Sequence, residues 1–449
     1  MTDDQERPTD IPAAIREVEA EAAGGAEALF MAAMLAPSPL PYDFALSVEG
    51  TLHNPSLTNP AAAFFAATAT LEGLVTRGLA LTDADNQTFT LPDDVRDTIR
   101  SGFSPEDTLL WAARAAYGLN LILPDAAPDQ WPAYEWLMPH VLACRDMADG
   151  LGLATEAANR VLHQAGFALH YQQRHREAAA LLDAALAVDV ALKGREHPDI
   201  CADLEGLGSV LWSGGDMERA EHAFASCLEL QRAVFTEDNP VTASVLNSLG
   251  VVRQQRGRLD LAGDAFRECL RVLTLAHGEG HPAIASCLSN YALLHEAAGR
   301  PDEALRLAER ALEINRALYG EDHPEVAADL NTVALLHEGL GHDAEAEAHF
   351  RDSLAARERI FGAEHPETAQ SLCNLALLLD KRGRADESAA LYERGLAAYE
   401  AALGPTHPLM ESALDNYLRL LRATGRRPKD DRLRARAEAR LRRIVERAG

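Results

Sequence analysis

One period dominates the chain and constrains what it can fold into. His-Pro recurs at His197-Pro198, His281-Pro282, His323-Pro324, His365-Pro366 and His407-Pro408. Asn239-Pro240 fills the remaining place, so every step is 42 residues. Cut at that interval, residues 157–410 align without gaps as six units. A period of this size marks one supersecondary element copied along the chain, because a single copy cannot bury its apolar face alone.

Each unit reads as two helices. A small residue falls at one fixed place: Gly166, Gly208, Gly250, Ala292, Ala334 and Ala376. Twelve residues on comes a second small position: Ala178, Ala220, Ala262, Ala304, Ala346 or Ser388. Four later stands a larger side chain, Leu182, Phe224, Phe266, Ala308, Phe350 or Tyr392, and three later another small one, such as Ala185, Cys227 or Ala311. Spacings of three, four and seven lie on one helix face. Two closely crossing helices need a hole on one and a knob on the other, which these positions supply.

The punctuation agrees. Gly215, Gly257, Gly299, Gly341 and Gly383 follow the first small position by seven residues, which predicts a left-handed cap ending the first helix. The second helix stops near Gly320 or Gly362, and the chain restarts at Pro, whose missing N–H suits a first helical position. Alanine and leucine are abundant and aromatics make up 6%, as close helix packing requires. The predicted fold is mainly α: a right-handed α-solenoid of helical hairpins.

Units such as Ala285-Ser-Cys-Leu-Ser-Asn-Tyr-Ala-Leu-Leu-His-Glu-Ala-Ala-Gly-Arg, then Asp302-Glu-Ala, ending Leu318-Tyr-Gly-Glu-Asp-His-Pro, closely resemble tetratricopeptide repeats of the kinesin-light-chain type. The resemblance covers six units. A seventh begins at Glu411 and keeps Asn416 and Gly425-Arg426. It has Asp430 in place of the small residue and runs into a basic tail. Residues 411–449 are therefore expected to be a degenerate repeat and a polar capping helix.

The amino-terminal part is out of phase. Residues 1–25 are acidic and are expected to lack fixed structure. Ala26–Leu35 reads as a helix ending at Pro37-Ser-Pro-Leu-Pro41, and another spans about Pro60–Gly78. Leu79-Ala-Leu-Thr and Thr88-Phe-Thr-Leu flank an Asp/Asn turn as a two-stranded wing, and a helix over Pro92–Ser101 follows. Residues 26–103 are thus expected to be winged-helix-like and 104–156 a helical linker. This order looks like the region after the nucleotide-binding domain of STAND (NB-ARC-type) signalling ATPases with repeat sensors. No G-x-x-x-x-G-K-[ST] loop is present, and none of the three lysines (Lys193, Lys381, Lys429) lies in a Gly-rich turn.

Charge narrows the partners. The net charge of −27 argues against nucleic acid. Residues 26–103 carry nine Asp/Glu against three Arg, so the winged-helix-like part repels phosphate as well. Only 426–449 is basic, with ten Lys/Arg against four Asp/Glu, and reads as a solvated helix. The polar amino terminus and lack of a long apolar stretch lead to a cytoplasmic expectation, with no membrane contact. The six cysteines form no C-x-x-C pair. Cys227 and Cys269 fall where a small buried residue is wanted, which predicts reduced core thiols.

Catalytic and metal readings do not survive the search. The periodic histidines sit on successive loops, are replaced once by Asn239 and lack a second ligand at metal-site spacing. His277 and His281 straddle Gly278 and Gly280, and His295 and His337 fall at a packing position. Gly-x-Ser-x-Gly is absent. The expectation is a non-enzyme without cofactor or metal.

Binding is expected on the first helix of each hairpin, between the core positions. The row three before the small residue reads Glu205, Asn247, Ser289, Asn331, Cys373, Asp415. The next row includes Asn290, Asn374 and Asn416. The row four after it reads Trp212, Gln254, Glu296, Glu338, Asp380. Resemblance to kinesin-light-chain-type repeats implies asparagines that bond the backbone of an extended peptide, and a carboxamide offers the needed donor and acceptor. The acidic row adds an expectation of basic residues beside an apolar anchor. The functional expectation is a protein- or peptide-binding scaffold or sensor of STAND-type signalling. The rival readings are a winged-helix transcriptional regulator with a repeat sensor, and a regulatory subunit acting in trans on a separate NTPase or effector.

Overall fold

The computed structural model describes residues 8, 10–21, 23–45, 69, 71–235, 239–404 and 407–425. They fall into two compact units, one running to Glu237 and one starting at Asp238. Residues 426–449, where the basic capping helix is expected, and most of 60–70 lie outside the described residues.

The first unit opens with helices α1 (Ile11–Glu21) and α2 (Ala23–Met34), followed by strands β1 (Leu40–Pro41), β2 (Leu81–Asp83) and β3 (Thr88–Thr90) and helix α3 (Asp93–Gly102). The strands form an antiparallel sheet in the order β1-β3-β2, with Leu40 and Thr82 both opposite Phe89. The two strands expected around the Asp/Asn turn are there, as β2 and β3. Their turn is held by the Asp83 carboxylate, which accepts the Asp85 and Asn86 N–H groups at 3.1 and 3.2 Å.

Two features depart from expectation. Helix α1 lies inside the stretch expected to lack structure, because Ile11, Ala14, Ile15 and Val18 form an i, i+3, i+4, i+7 stripe, with Ala14 and Val18 buried. The Pro-rich break after α2 supplies a third strand. Leu40–Pro41 lies at the sheet edge, where a proline without an N–H costs no ladder bond.

Helices α4 (Pro105–Ile122) and α5 (Trp131–Leu151) follow. Ser104 and Asp107 form a reciprocal capping box at the start of α4. His140 on α5 bonds the Pro39 carbonyl at 3.1 Å, tying the helix to the amino-terminal module. The unit closes with two hairpins, α6 (Glu156–Tyr171) with α7 (His175–Lys193), and α8 (Asp199–Ser213) with α9 (Met217–Val234).

The second unit continues the period with α10 (Val241–Gln255), α11 (Leu259–His277), α12 (Pro282–Ala297), α13 (Pro301–Tyr319), α14 (Pro324–Leu340), α15 (Asp343–Phe361), α16 (Pro366–Lys381), α17 (Ala385–Leu403) and α18 (Pro408–Thr424). Within each hairpin the small positions sit as the sequence requires. A Cβ placed on Gly208 would lie 2.8 Å from the Phe224 ring, and one on Gly250 2.6 Å from the Phe266 ring. The glycine is the hole and the phenylalanine the knob.

Both ends of the helices are built by backbone chemistry. Gly215, Gly257, Gly299, Gly341 and Gly383 have positive φ, and the following residue's N–H reaches the carbonyl five before it, as Arg258 does to Arg253 at 2.9 Å or less. At the other end, the periodic histidine has a definite job. His323 Nδ1 accepts the Glu325 N–H at 3.3 Å, His365 that of Glu367 at 3.2 Å, and His281 that of Ala283 at 3.2 Å. Asn239 Oδ1 does the same for Val241 at 3.0 Å, which explains why asparagine can replace histidine. Three of the rings also stack on the preceding helix, as Tyr319 with His323 at 4.1 Å between centroids.

Candidate partner-binding face

The first helices of the second unit, α10, α12, α14, α16 and α18, carry the asparagine rows. Successive copies stand side by side, so a residue on one helix meets its counterpart 42 or 43 positions on. Asn290 Nδ2 donates to Asn247 Oδ1 at 3.1 Å, and Asn374 Nδ2 donates to Asn331 Oδ1 at 2.9 Å. Four of the five expected asparagines therefore come together as two carboxamide pairs at alternate junctions. Asn331 is buried at 7% exposure, whereas Asn247, Asn290 and Asn374 are half-buried.

The pairing orients the side chains. Asn290 and Asn374 each keep Oδ1 without a partner among the described residues, and each donates on its other side. A row of fixed, half-satisfied carboxamides suits a chain of backbone amides, because rigid donors and acceptors lose little entropy on binding. Between the pairs, the α12–α14 junction has Ser289 and Thr332 instead. Their hydroxyls turn inward, Ser289 to Asp329 at 3.4 Å and Thr332 to the Ala328 carbonyl at 3.1 Å.

The acidic row is less uniform than its sequence. Glu338 accepts from Lys381 Nζ at 2.5 Å between the first helices of neighbouring hairpins, so its charge is offset within the protein. Glu296 is exposed and Asp380 and Gln254 are half-buried. Asn416 accepts from Arg419 at 2.7 Å, and is held by its own helix. Trp212 belongs to the first unit, where its side chain is 39% exposed.

Sequence reasoning missed two residues on this face. Leu293 and Leu335 are 46% and 44% exposed, each one residue past the small position of its helix. That position lies between the asparagine and acidic rows on a helical wheel, so the signal was present: a leucine repeated on the face expected to be solvated. Two exposed leucines at matching positions of successive first helices, with carboxamides and Glu296 on the same helix faces, offer an apolar window with polar edges.

The periodic histidines are engaged as helix caps through their Nδ1 lone pairs, and no group of three or more His, Cys, Asp or Glu suited to a metal occurs among the described residues. His337 Nδ1 lies 3.3 Å from His342 Nδ1, and its ring stacks on His349, inside one hairpin. The six cysteines are free thiols, five of them buried, and Cys227 and Cys269 bond helix carbonyls at 3.3 Å. No described helix is long and apolar enough to cross a membrane.

Stacked helical hairpins of constant length, whose glycine and alanine holes take the knobs of the second helices, define a helical-repeat scaffold. The chain belongs to the tetratricopeptide repeat family, whose model matches residues 157–233, 241–317, 298–359 and 344–401, more than half of its length. No curated protein matches the sequence. Among solved structures, the chain is similar to BtubC from P. vanneervenii (23% identity, 51% of this chain and 90% of that one, TM-score 0.44). It is also similar to the tetratricopeptide-like repeats of a putative kinesin light chain from Podosopora anserina (19%, 45% and 96%, TM-score 0.41). A third is a STAND protein with a tetratricopeptide repeat sensor from Pyrococcus horikoshii (10%, 98% and 66%, TM-score 0.48).

Proposed function

We propose that the chain is a non-catalytic scaffold or sensor that holds an extended segment of another protein against the first-helix face of its repeats, within a regulatory system of the STAND type. Membership of the tetratricopeptide repeat family supports the coarser reading, an interaction scaffold. The observation that carries the finer one is the window of Leu293 and Leu335 beside the Asn247–Asn290 and Asn331–Asn374 pairs. An exposed apolar patch edged by oriented polar groups is how a surface grips a peptide by both backbone and side chain.

The segment is basic with an apolar anchor. Its apolar side chain rests on the leucines, and its cations meet Glu296 and Asp380, while Glu338 is engaged by Lys381. The order of a small helix-and-sheet module, a packed helical pair and the repeat array supports the STAND-type setting.

The test is affinity for a partner purified with the tagged chain from its own cells. Replacing Leu293 and Leu335 together by Ser should weaken that complex at least about tenfold, the scale of two lost apolar contacts, and leave the helical circular dichroism signal intact. Replacing Asn290, Asn331 and Asn374 by Ala should weaken it further. Unchanged affinity in both variants removes this face from the account.

A further inference from the structure

Where the second helix of one hairpin meets the first helix of the next, two register positions fourteen residues apart hold a pair of side chains that differs from junction to junction. Between α13 and α14, Asn315 Nδ2 donates to Asp329 Oδ2 at 2.7 Å. Between α15 and α16, Arg357 donates to Ser371 Oγ at 3.0 Å. Each of these pairs matches a donor with an acceptor. The same register positions between α7 and α8 hold Asp189 and Asp203, two acceptors and no donor.

The site is dry. Asp189 is 3% exposed and Asp203 8%. Lys193 donates to Asp189 Oδ2 at 3.0 Å, but Asp189 Oδ1 and Asp203 Oδ2 are buried with no hydrogen-bond partner among the described residues. Two ionised carboxylates placed there would both be stripped of water and would repel each other. A proton on one of them converts an acceptor into a donor and fills the role that Asn315 plays in its own junction.

We propose that Asp189 and Asp203 share one proton, and that this proton locks the α6–α7 hairpin onto the α8–α9 hairpin, so that the junction loosens as the pH rises through neutrality. The surrounding charges favour it. Lys193 of α7 divides its charge between Asp189 and Asp199 of α8, at 3.0 and 2.8 Å. His163 of α6 approaches Asp203 Oδ1 only to 3.8 Å, and its own burial holds it below the usual histidine range. His197 faces Asp199 rather than the pair, at 3.7 Å. Burial, then the negative charge of Asp189, pushes the Asp203 carboxyl up to about 7. In the unfolded chain an aspartate titrates near about 4. The folded state therefore holds a proton that the unfolded state has released between those values, and stability falls as the pH rises from about 4 to about 7 and levels off above. Helices α6 and α8 are first helices of neighbouring repeats, so this junction sets their spacing.

Hydrogen–deuterium exchange on the full chain at about pH 6 and pH 8, corrected for intrinsic exchange, tests the lock. In the unaltered protein the amides of α7 and α8 should lose protection at least about tenfold at the higher pH. Asp203→Asn should keep them protected at both, and Asp189→Asn, which rebuilds the Asn315–Asp329 arrangement, should do the same. Protection that does not change with pH in the unaltered protein overturns the proposal. So does an equal loss in either asparagine variant, or a loss spread evenly over hairpins remote from the pair.

Discussion

Asn374 reaches across to the neighbouring first helix and donates its carboxamide N–H to Asn331 Oδ1 at 2.9 Å, with Asn331 buried beneath it. The bond joins two hairpins and also aims the outer asparagine. Breaking it from either side should cost about 1 kcal/mol, the net value of such a bond. A double-mutant cycle of Asn331→Ala and Asn374→Ala, followed by urea midpoints, should return a coupling energy of that order. Strict additivity would mean that the pair does not hold the junction.

The hole-and-knob packing makes a second prediction. Gly250→Ala drives a methyl into the Phe266 ring and should destabilise by about 1–3 kcal/mol, as overpacking does. Phe266→Ala alone empties the core and should cost about 3–5 kcal/mol. Together they recreate the Ala292 and Ala308 arrangement of the fourth repeat, so the double variant should lose clearly less than the sum. Thermal unfolding of the four proteins checks this.

The histidine caps make a third. His323→Ala removes the acceptor for the Glu325 N–H and the stack on Tyr319, and should lower stability by about 1 kcal/mol. His323→Asn should recover most of the capping loss, because Asn239 performs that task unaided in the third repeat. Equal losses in both variants would show that ring stacking, not capping, maintains the histidine.

A fourth concerns the one repeat that breaks the glycine rule. Gln173 stands where the other units have glycine and adopts the same left-handed conformation, with φ of 64°. Gln173→Gly should raise stability by about 1 kcal/mol, since only glycine adopts that conformation without a steric penalty. A lower unfolding midpoint would contradict this reading of the turn.

The repeat was legible because its rules are local. Gly250 and Phe266 are sixteen residues apart within one hairpin, and each cap involves neighbours two to five apart, so a period and a helical wheel suffice. The face was half legible. Its asparagines were picked out by position, but the Asn247–Asn290 and Asn331–Asn374 bonds depend on how neighbouring hairpins align, as does the Lys381 contact that offsets Glu338. Leu293 and Leu335 were hidden among many other leucines. Helix α1 was obscured by its acidic composition, although the stripe of Ile11, Ala14, Ile15 and Val18 was already in the sequence. Strand β1 depends on a partner far along the chain, pairing Leu40 with Phe89 and Pro41 with Thr88.

The central claim, that partners are held on the first-helix face, is tested most directly by site-specific photo-crosslinking. A photoreactive amino acid at Leu293 or Leu335 should capture the co-purifying partner. The same group at Arg306, on the second helix α13 with a side chain 74% exposed, should not. Capture at Arg306 with none at Leu293 or Leu335 would contradict the account.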